Sequence, residues 1–140
     1  MTVSFVRRVA ATLPVADIRR DVIRVSSTLR RGRRAFGLRY LTVVVVSSGE
    51  SRRLKRRYLK RNQAANVLAF RYDGAGEIVL APAVIRREAR QAREPYRRAL
   101  RRMIVHGLLH LAGRHHEASA AEDRAFAQAE GLLLKRLGIG

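Results

Sequence analysis

The chain has 140 residues, 47% of them apolar and 29% charged, which fits one globular domain spanning 1–140 with a real core and excludes a disordered polymer. It has no cysteine, which excludes disulfides and thiolate metal sites and leaves nitrogen and oxygen as the ligands for any metal. Thirty basic residues stand against 11 acidic ones, a formal charge of +19, so a polyanionic partner is expected, nucleic acid or an anionic membrane surface.

Only Lys55, Lys60 and Lys135 are lysines. A bias toward arginine exchanges Lys for Arg but does not remove acids, so the excess favours nucleic-acid phosphates. No apolar run suits a signal peptide, and none approaches the roughly 18 residues of a membrane span. The cytoplasm is the expected location.

Residues 3–9 (VSFVRRV) read as a first strand, apolar at Val3, Phe5 and Val6. From Val15, apolar residues recur at Ile18, Val22, Val25 and Leu29, with Arg19, Arg20, Arg24 and Arg30 elsewhere on the wheel, an amphipathic helix. Gly32 and Gly37 bracket a turn. Residues 40–46 (YLTVVVV) are β-branched and apolar on both faces, as in a central strand covered on both sides. Residues 51–61 make a short basic helix with Leu54 and Tyr58 inward. Residues 66–72 and 77–81 are two more strands, joined by DGAG at 73–76.

Pro82 starts a helix that runs to Arg93. Glu94-Pro95 begins the next, which continues to Leu111 or Ala112 and stops at Gly113. Ser119 and Glu122 have the capping-box spacing, and a final helix to Leu137 carries Phe126, Ala129, Leu133 and Leu137 on one face. The expected fold is α+β: a small mixed sheet of about four strands flanked by helices, one of which bears an HxxxH metal motif.

All four histidines lie between positions 106 and 116. His106 and His110 stand at i and i+4, so both rings project from one helix face and can meet one ion. A third ligand cannot lie further along that face. Gly113 ends the helix, and His115 or His116 follows on the returning chain; spacing alone leaves the choice open. Three imidazoles leave a fourth tetrahedral position free, the arrangement of catalytic zinc. One zinc per chain is the expected cofactor, with copper, nickel and iron also compatible with the ligand type. Residue 107 is glycine, so HGLLH lacks the general-base glutamate of HExxH, which argues against a metalloprotease.

HGLLHLAGRHH resembles the signature HGxLHLxGYDH of the YbeY family, bacterial endoribonucleases that act in ribosomal RNA maturation. LKRRYLKRNQAANVLAF at 54–70 is similar to that family's LNxxYRGKDxPTNVLSF, sharing Leu54, Tyr58, Asn66, Val67, Leu68 and Phe70. GEIVLAPAVIRREA at 76–89 is similar to its GDIxI strand and following helix, and the order of elements agrees from about residue 3 to 137. The resemblance implies His106, His110 and His116 as metal ligands. It also implies a zinc-dependent endoribonuclease of ribosomal RNA, processing the 16S 3′ end and serving ribosome quality control, with the small ribosomal subunit as partner. Where the family has an arginine after the tyrosine, this chain has Leu59; Lys60, Arg61 and Asn62 replace Gly-Lys-Asp, Ala64-Ala65 replace Pro-Thr, and Arg114-His115 replace Tyr-Asp. Leucine cannot neutralise a phosphate, so Arg61 or Arg114 is the candidate substitute.

Phosphodiester hydrolysis needs an activated water and a cation for the pentavalent transition state. Arg61 and His115 are the candidate catalytic groups. Arg52, Arg53, Lys55, Arg56, Arg57, Lys60 and Arg61 put seven basic residues into eleven positions with no acid among them. Arg98 and Arg102 precede His106 in an i, i+4 row, which places Arg102 one turn from the metal. The two groups are expected to flank the metal cleft and bind RNA phosphates. Aromatic residues make up 6%, with only Tyr58 and Tyr96 in the basic stretches, so charge and shape rather than base stacking would carry recognition. Two other readings fit the residues: a ribosome-associated binding module that keeps a structural metal, and a metal hydrolase of another substrate.

Overall fold

The computed structural model describes residues 1–30, 36–59, 65–113 and 119–140. In chain order the elements are β1 (Thr2–Arg7), α1 (Val15–Arg30), β2 (Tyr40–Val45), α2 (Ser48–Leu59), β3 (Val67–Tyr72), β4 (Ala75–Leu80), α3 (Pro82–Gln91), α4 (Tyr96–Leu111) and α5 (Ala120–Arg136). The sheet order is β1-β2-β4-β3. β1, β2 and β4 run parallel, and β3 returns antiparallel to β4. The expected α+β class with a mixed four-stranded sheet is therefore observed.

β2 and β4 are apolar on both faces because both faces are covered. Side chains alternate across a strand, so Leu41, Val43, Ile78 and Leu80 enter one core while Val44, Val46, Val79 and Ala81 enter the other. The first core takes Ile18, Val22 and Val25 of α1, Leu100, Ile104 and Leu108 of α4, and Phe126 and Leu133 of α5. The second, smaller core takes Val84 of α3, Leu68 of β3 and, at its margin, Leu54 of α2 and Phe70.

α4 is buried on nearly every side. A Cβ on Gly107 would lie 3.0, 3.1 and 3.2 Å from three atoms of the Ile78 side chain, so glycine is what lets α4 approach β4 this closely. Any larger residue at position 107 of HGLLH, a glutamate included, would collide with Ile78. Between α1 and α4 the polar contacts are internal: Arg101 reaches the fully buried Asp21 at 2.7 and 2.9 Å, and Arg97 pairs with Asp17.

Several boundaries differ from expectation for local reasons. β1 ends at Arg7, because its last partner is Val45, where β2 ends. α2 begins at Ser48 rather than Ser51, since the Ser47 hydroxyl accepts from the Glu50 amide at 3.1 Å and caps the helix earlier. Tyr58 is 56% exposed rather than inward, its ring meeting the edge of Phe70 at 5.3 Å. The hairpin turn is Asp73-Gly74 alone, with Gly74 at φ 71, so Ala75 and Gly76 already pair with Tyr72 and Arg71. α3 stops at Gln91, because Arg93 takes φ 55 and the Glu94 amide bonds back to the Ala89 carbonyl at 2.8 Å. The capping box is present, with Ser119 Oγ accepting from the Glu122 amide at 3.1 Å. No helix of the described residues is long and apolar enough to cross a membrane.

Candidate metal centre

His106 and His110 occupy the last turns of α4, with their Nε2 atoms 3.2 Å apart. Two nitrogens bound to one zinc at about 2.05 Å and the tetrahedral angle would be about 3.3 Å apart. The spacing fits. Phe126 of α5 walls the pair, its centroid 4.8 Å from the His106 ring and 5.1 Å from that of His110.

The other ring nitrogen of His106, Nδ1, lies 2.8 Å from a carboxylate oxygen of Glu130 on α5. A carboxylate accepts, so Nδ1 carries the hydrogen and the lone pair of the neutral ring sits on Nε2, toward His110. This is the arrangement by which a carboxylate orients a metal-binding imidazole and raises its basicity. Gly113 follows at φ 83, its amide bonded to the His110 carbonyl at 2.9 Å, and turns the chain out of the helix.

His116, the expected third ligand, lies outside the described residues, as do His115, Arg114, Arg61 and Lys60. Among the described residues no group of three or more His, Cys, Asp or Glu side chains could hold a metal. What α4 and α5 supply is a convergent, oriented pair.

Beside the pair lies a cleft of about 240 Å³ whose lining includes Asn66, Arg102, His106, Asp123, Phe126 and Glu130. Asn66 precedes β3 and donates to Glu88 at 3.2 Å. The Ser51 hydroxyl holds that end of β3 against α2 through both the amide and the carbonyl of Ala65, at 3.0 and 2.6 Å.

Arg102 does sit one turn from His106, on the cleft wall, but its fork is spent on Glu94 at 3.1 Å through both Nε and Nη2. Arg98 pairs with the same carboxylate and donates from Nε to the Ile139 carbonyl at 2.8 Å. Burial raises the Glu94 pKa, yet hydrogen bonds and charge from Arg102 and Arg98 outweigh it and hold the carboxyl below its ordinary value.

The basic α2 does not face α4 across the cleft as expected. Leu54 anchors it on the opposite side of the sheet, where a two-sided sheet offers a second apolar face. Arg52, Arg53, Arg56 and Arg57 are exposed there, Lys55 is half-buried, and among the described residues none of them forms an ion pair. Glu130, Asp123 and Asn66 were missed by pattern reading. A signal existed for two of them: Asp123, Phe126 and Glu130 fall at i, i+3 and i+7 of α5, one face of the helix.

The family model for endoribonuclease YbeY matches residues 10–138. The chain is 28% identical over 137 residues to the endoribonuclease YbeY of Aquifex aeolicus, covering 93% of this chain and 91% of that protein. It is 37% identical over 109 residues to that of Alkalilimnicola ehrlichii, with 71% and 65% covered. Against that of Aromatoleum aromaticum it is 44% identical over 82 residues, 56% of this chain and 53% of that protein, so the match spans about half the length of this relative. The solution structure of a Thermotoga maritima protein superposes with a TM-score of 0.68 at 18% identity, covering 97% of this chain and 89% of that one, a likeness of fold. The family match takes in every element from α1 to α5, and the chain belongs to the endoribonuclease YbeY family.

Proposed function

We propose that the chain is a metal-dependent endoribonuclease that hydrolyses phosphodiester bonds of ribosomal RNA, acting on the small ribosomal subunit in the cytoplasm, in 16S 3′-end maturation and in ribosome quality control. The observation that carries this reading is the His106–His110 pair, spaced at 3.2 Å between Nε2 atoms and oriented through Glu130, in a family named for endoribonuclease activity. His106, His110 and His116 would hold one zinc ion. Bound there, zinc supplies a bound water of pKa about 7 and polarisation of a phosphoryl oxygen.

The chain's own groups do the rest. Glu130 accepts from Nδ1 of His106 and so turns Nε2 toward His110, the side from which it would ligate. Arg102 edges the cleft, but Glu94 already balances its charge, so the cation for the transition state is assigned to Arg61 or Arg114 and the proton transfer to His115. Arg52, Arg53, Arg56 and Arg57, with Lys60, hold flanking phosphates by charge. Arg98 is a weaker RNA contact than its position suggests, because it is bound to Glu94 and to the chain end.

A second reading, an RNA-binding module with a structural metal, is favoured by Leu59 at the position of the family arginine. Metal content and cleavage of structured RNA, measured on wild type and on His110→Ala, separate the two. The expected result is one zinc per chain and cleavage that is lost with His110. Zinc without cleavage would support the binding module, and a wild-type protein that takes up no metal would overturn both.

A further inference from the structure

A second basic cleft lies away from the histidines. Arg86, Arg87 and Arg90 of α3, with Tyr96 and the segment at Ala10 and Ala11, line a trough of about 540 Å³. The Arg86 guanidinium carbon stands 3.9 Å from the centre of the Tyr96 ring, a cation–π contact that fixes the plane of the fork. The Tyr96 hydroxyl is buried with no acceptor for its hydrogen, a costly state that an added oxygen would relieve. Burial raises its pKa, against the opposing influence of the adjacent Arg86 guanidinium.

Among the described residues no carboxylate lines the trough. Glu88, the acid of this helix, turns instead toward Asn66. The three arginines are exposed, and among the described residues none of them forms an ion pair. Three like charges on adjacent turns repel one another, and an anion held among them removes that repulsion.

We propose that this trough is a phosphate-binding site for an RNA strand, separate from the histidine cleft and recognising the backbone by charge-assisted, forked hydrogen bonds from Arg86, Arg87 and Arg90. A free small anion is the weaker fit. Small-ligand sites enclose most of their ligand, whereas these arginines face solvent, as suits one contact among several along a polymer. Tyr96 and His106 are ten residues apart on α4, which is about 15 Å along the axis. At a rise of roughly 3.4 Å per stacked nucleotide, a strand would need at least about four nucleotides to cover that axial distance, and more to pass around the helix between the two clefts.

The proposal rests on the RNA reading above, but its readout is binding rather than cleavage. Affinity for a short single-stranded RNA is measured against salt for wild type and for Arg86→Gln/Arg87→Gln/Arg90→Gln. A control, Arg24→Gln/Lys135→Gln/Arg136→Gln, removes the same charge from exposed positions elsewhere. The expected result is that the α3 variant binds weakly and its slope of log K against log salt falls by about 2, from three phosphate contacts at about 0.7 each, while the control keeps its slope. Equal behaviour of the two variants would overturn the site. Titration with inorganic phosphate, followed by amide NMR shifts, gives the other arm: saturable binding on α3 with RNA affinity unchanged in the α3 variant would identify a free-anion site and overturn the RNA assignment. A wild-type protein that binds in this way but never cleaves would refute the catalytic reading and leave this site standing.

Discussion

Glu130 holds the His106 ring from behind: its carboxylate meets Nδ1 at 2.8 Å while Nε2 looks toward His110. Removing the carboxylate frees the ring to rotate and to place its hydrogen on the wrong nitrogen. Glu130→Ala is therefore expected to weaken zinc binding by about 10- to 100-fold, the range for lost partners of ligating histidines. Glu130→Gln, whose amide oxygen still accepts from Nδ1, should lose less. Competition titration with a zinc chelator measures both, and equal affinity in Glu130→Ala and wild type would show that the carboxylate does not serve a ligand.

Gly107 sets the distance between the histidine helix and the sheet. An alanine there gains about 1 kcal/mol of helix propensity, but its methyl would stand 3.0 to 3.2 Å from the Ile78 side chain. Ile78 is fully buried and cannot swing aside. Overpacking costs about 1–3 kcal/mol, so Gly107→Ala is expected to be net destabilising. Ile78→Val deletes the atom 3.0 Å from the new methyl, and the double variant should recover part of the loss beyond the sum of the singles. Urea denaturation of the four proteins tests this, and strict additivity would place the strain elsewhere.

These two cases show where the sequence was readable and where it was not. The apolar run at 40–46 announced a strand covered on both sides, and β2 is that strand, between β1 and β4. The i, i+4 histidines and Gly113 announced the helix, its shared face and its end. Glu130 was invisible because its partner is 24 residues away, and only the docking of α5 onto α4 joins them. The ion pairs of Arg98 and Arg102 went unread for a different reason. Glu94 lies at i, with Arg98 at i+4 and Arg102 at i+8 in the same row, so the internal ion pairs were legible, but a row of arginines beside a metal motif reads first as a phosphate contact. Which sheet face α2 covers is set by tertiary packing of Leu54, and no local pattern encodes it.

Two carboxylates give the fold an acid limit. A hydrogen bond from Arg97, reinforced by charge, holds Asp17 below its ordinary value of 3.8 despite desolvation. Glu94 is likewise below its ordinary 4.5, with burial opposing and Arg102 and Arg98 prevailing. A group whose folded pKa is depressed stabilises the protein above its unfolded pKa and loses that contribution as the pH falls through the folded one. Urea midpoints should therefore be level above pH 4.5 and fall progressively below it. Asp17→Asn should lower the plateau and flatten the acid limb. A midpoint that rose on acidification, or an acid limb as steep in Asp17→Asn as in wild type, would contradict this assignment.

The position of α2 makes a sharper demand on the proposed reaction. Its exposed arginines lie on the sheet face opposite α4, behind Leu54 and Phe70, so under the proposed function they would hold RNA without acting on the bond cleaved at the histidines. Arg52→Gln/Arg53→Gln/Arg56→Gln/Arg57→Gln removes up to four phosphate contacts, which should reduce the salt slope of RNA binding by about 3 at roughly 0.7 per contact. Binding lost equally from substrate and transition state raises KM and leaves kcat alone. Zinc affinity should be unchanged, since among the described residues none of α2 lines the cleft beside His106. Steady-state cleavage against RNA concentration at two salt levels checks all three expectations. A fall in kcat at constant KM would mean that α2 acts on the chemistry, and the separation of binding face from histidine cleft would then have to be abandoned.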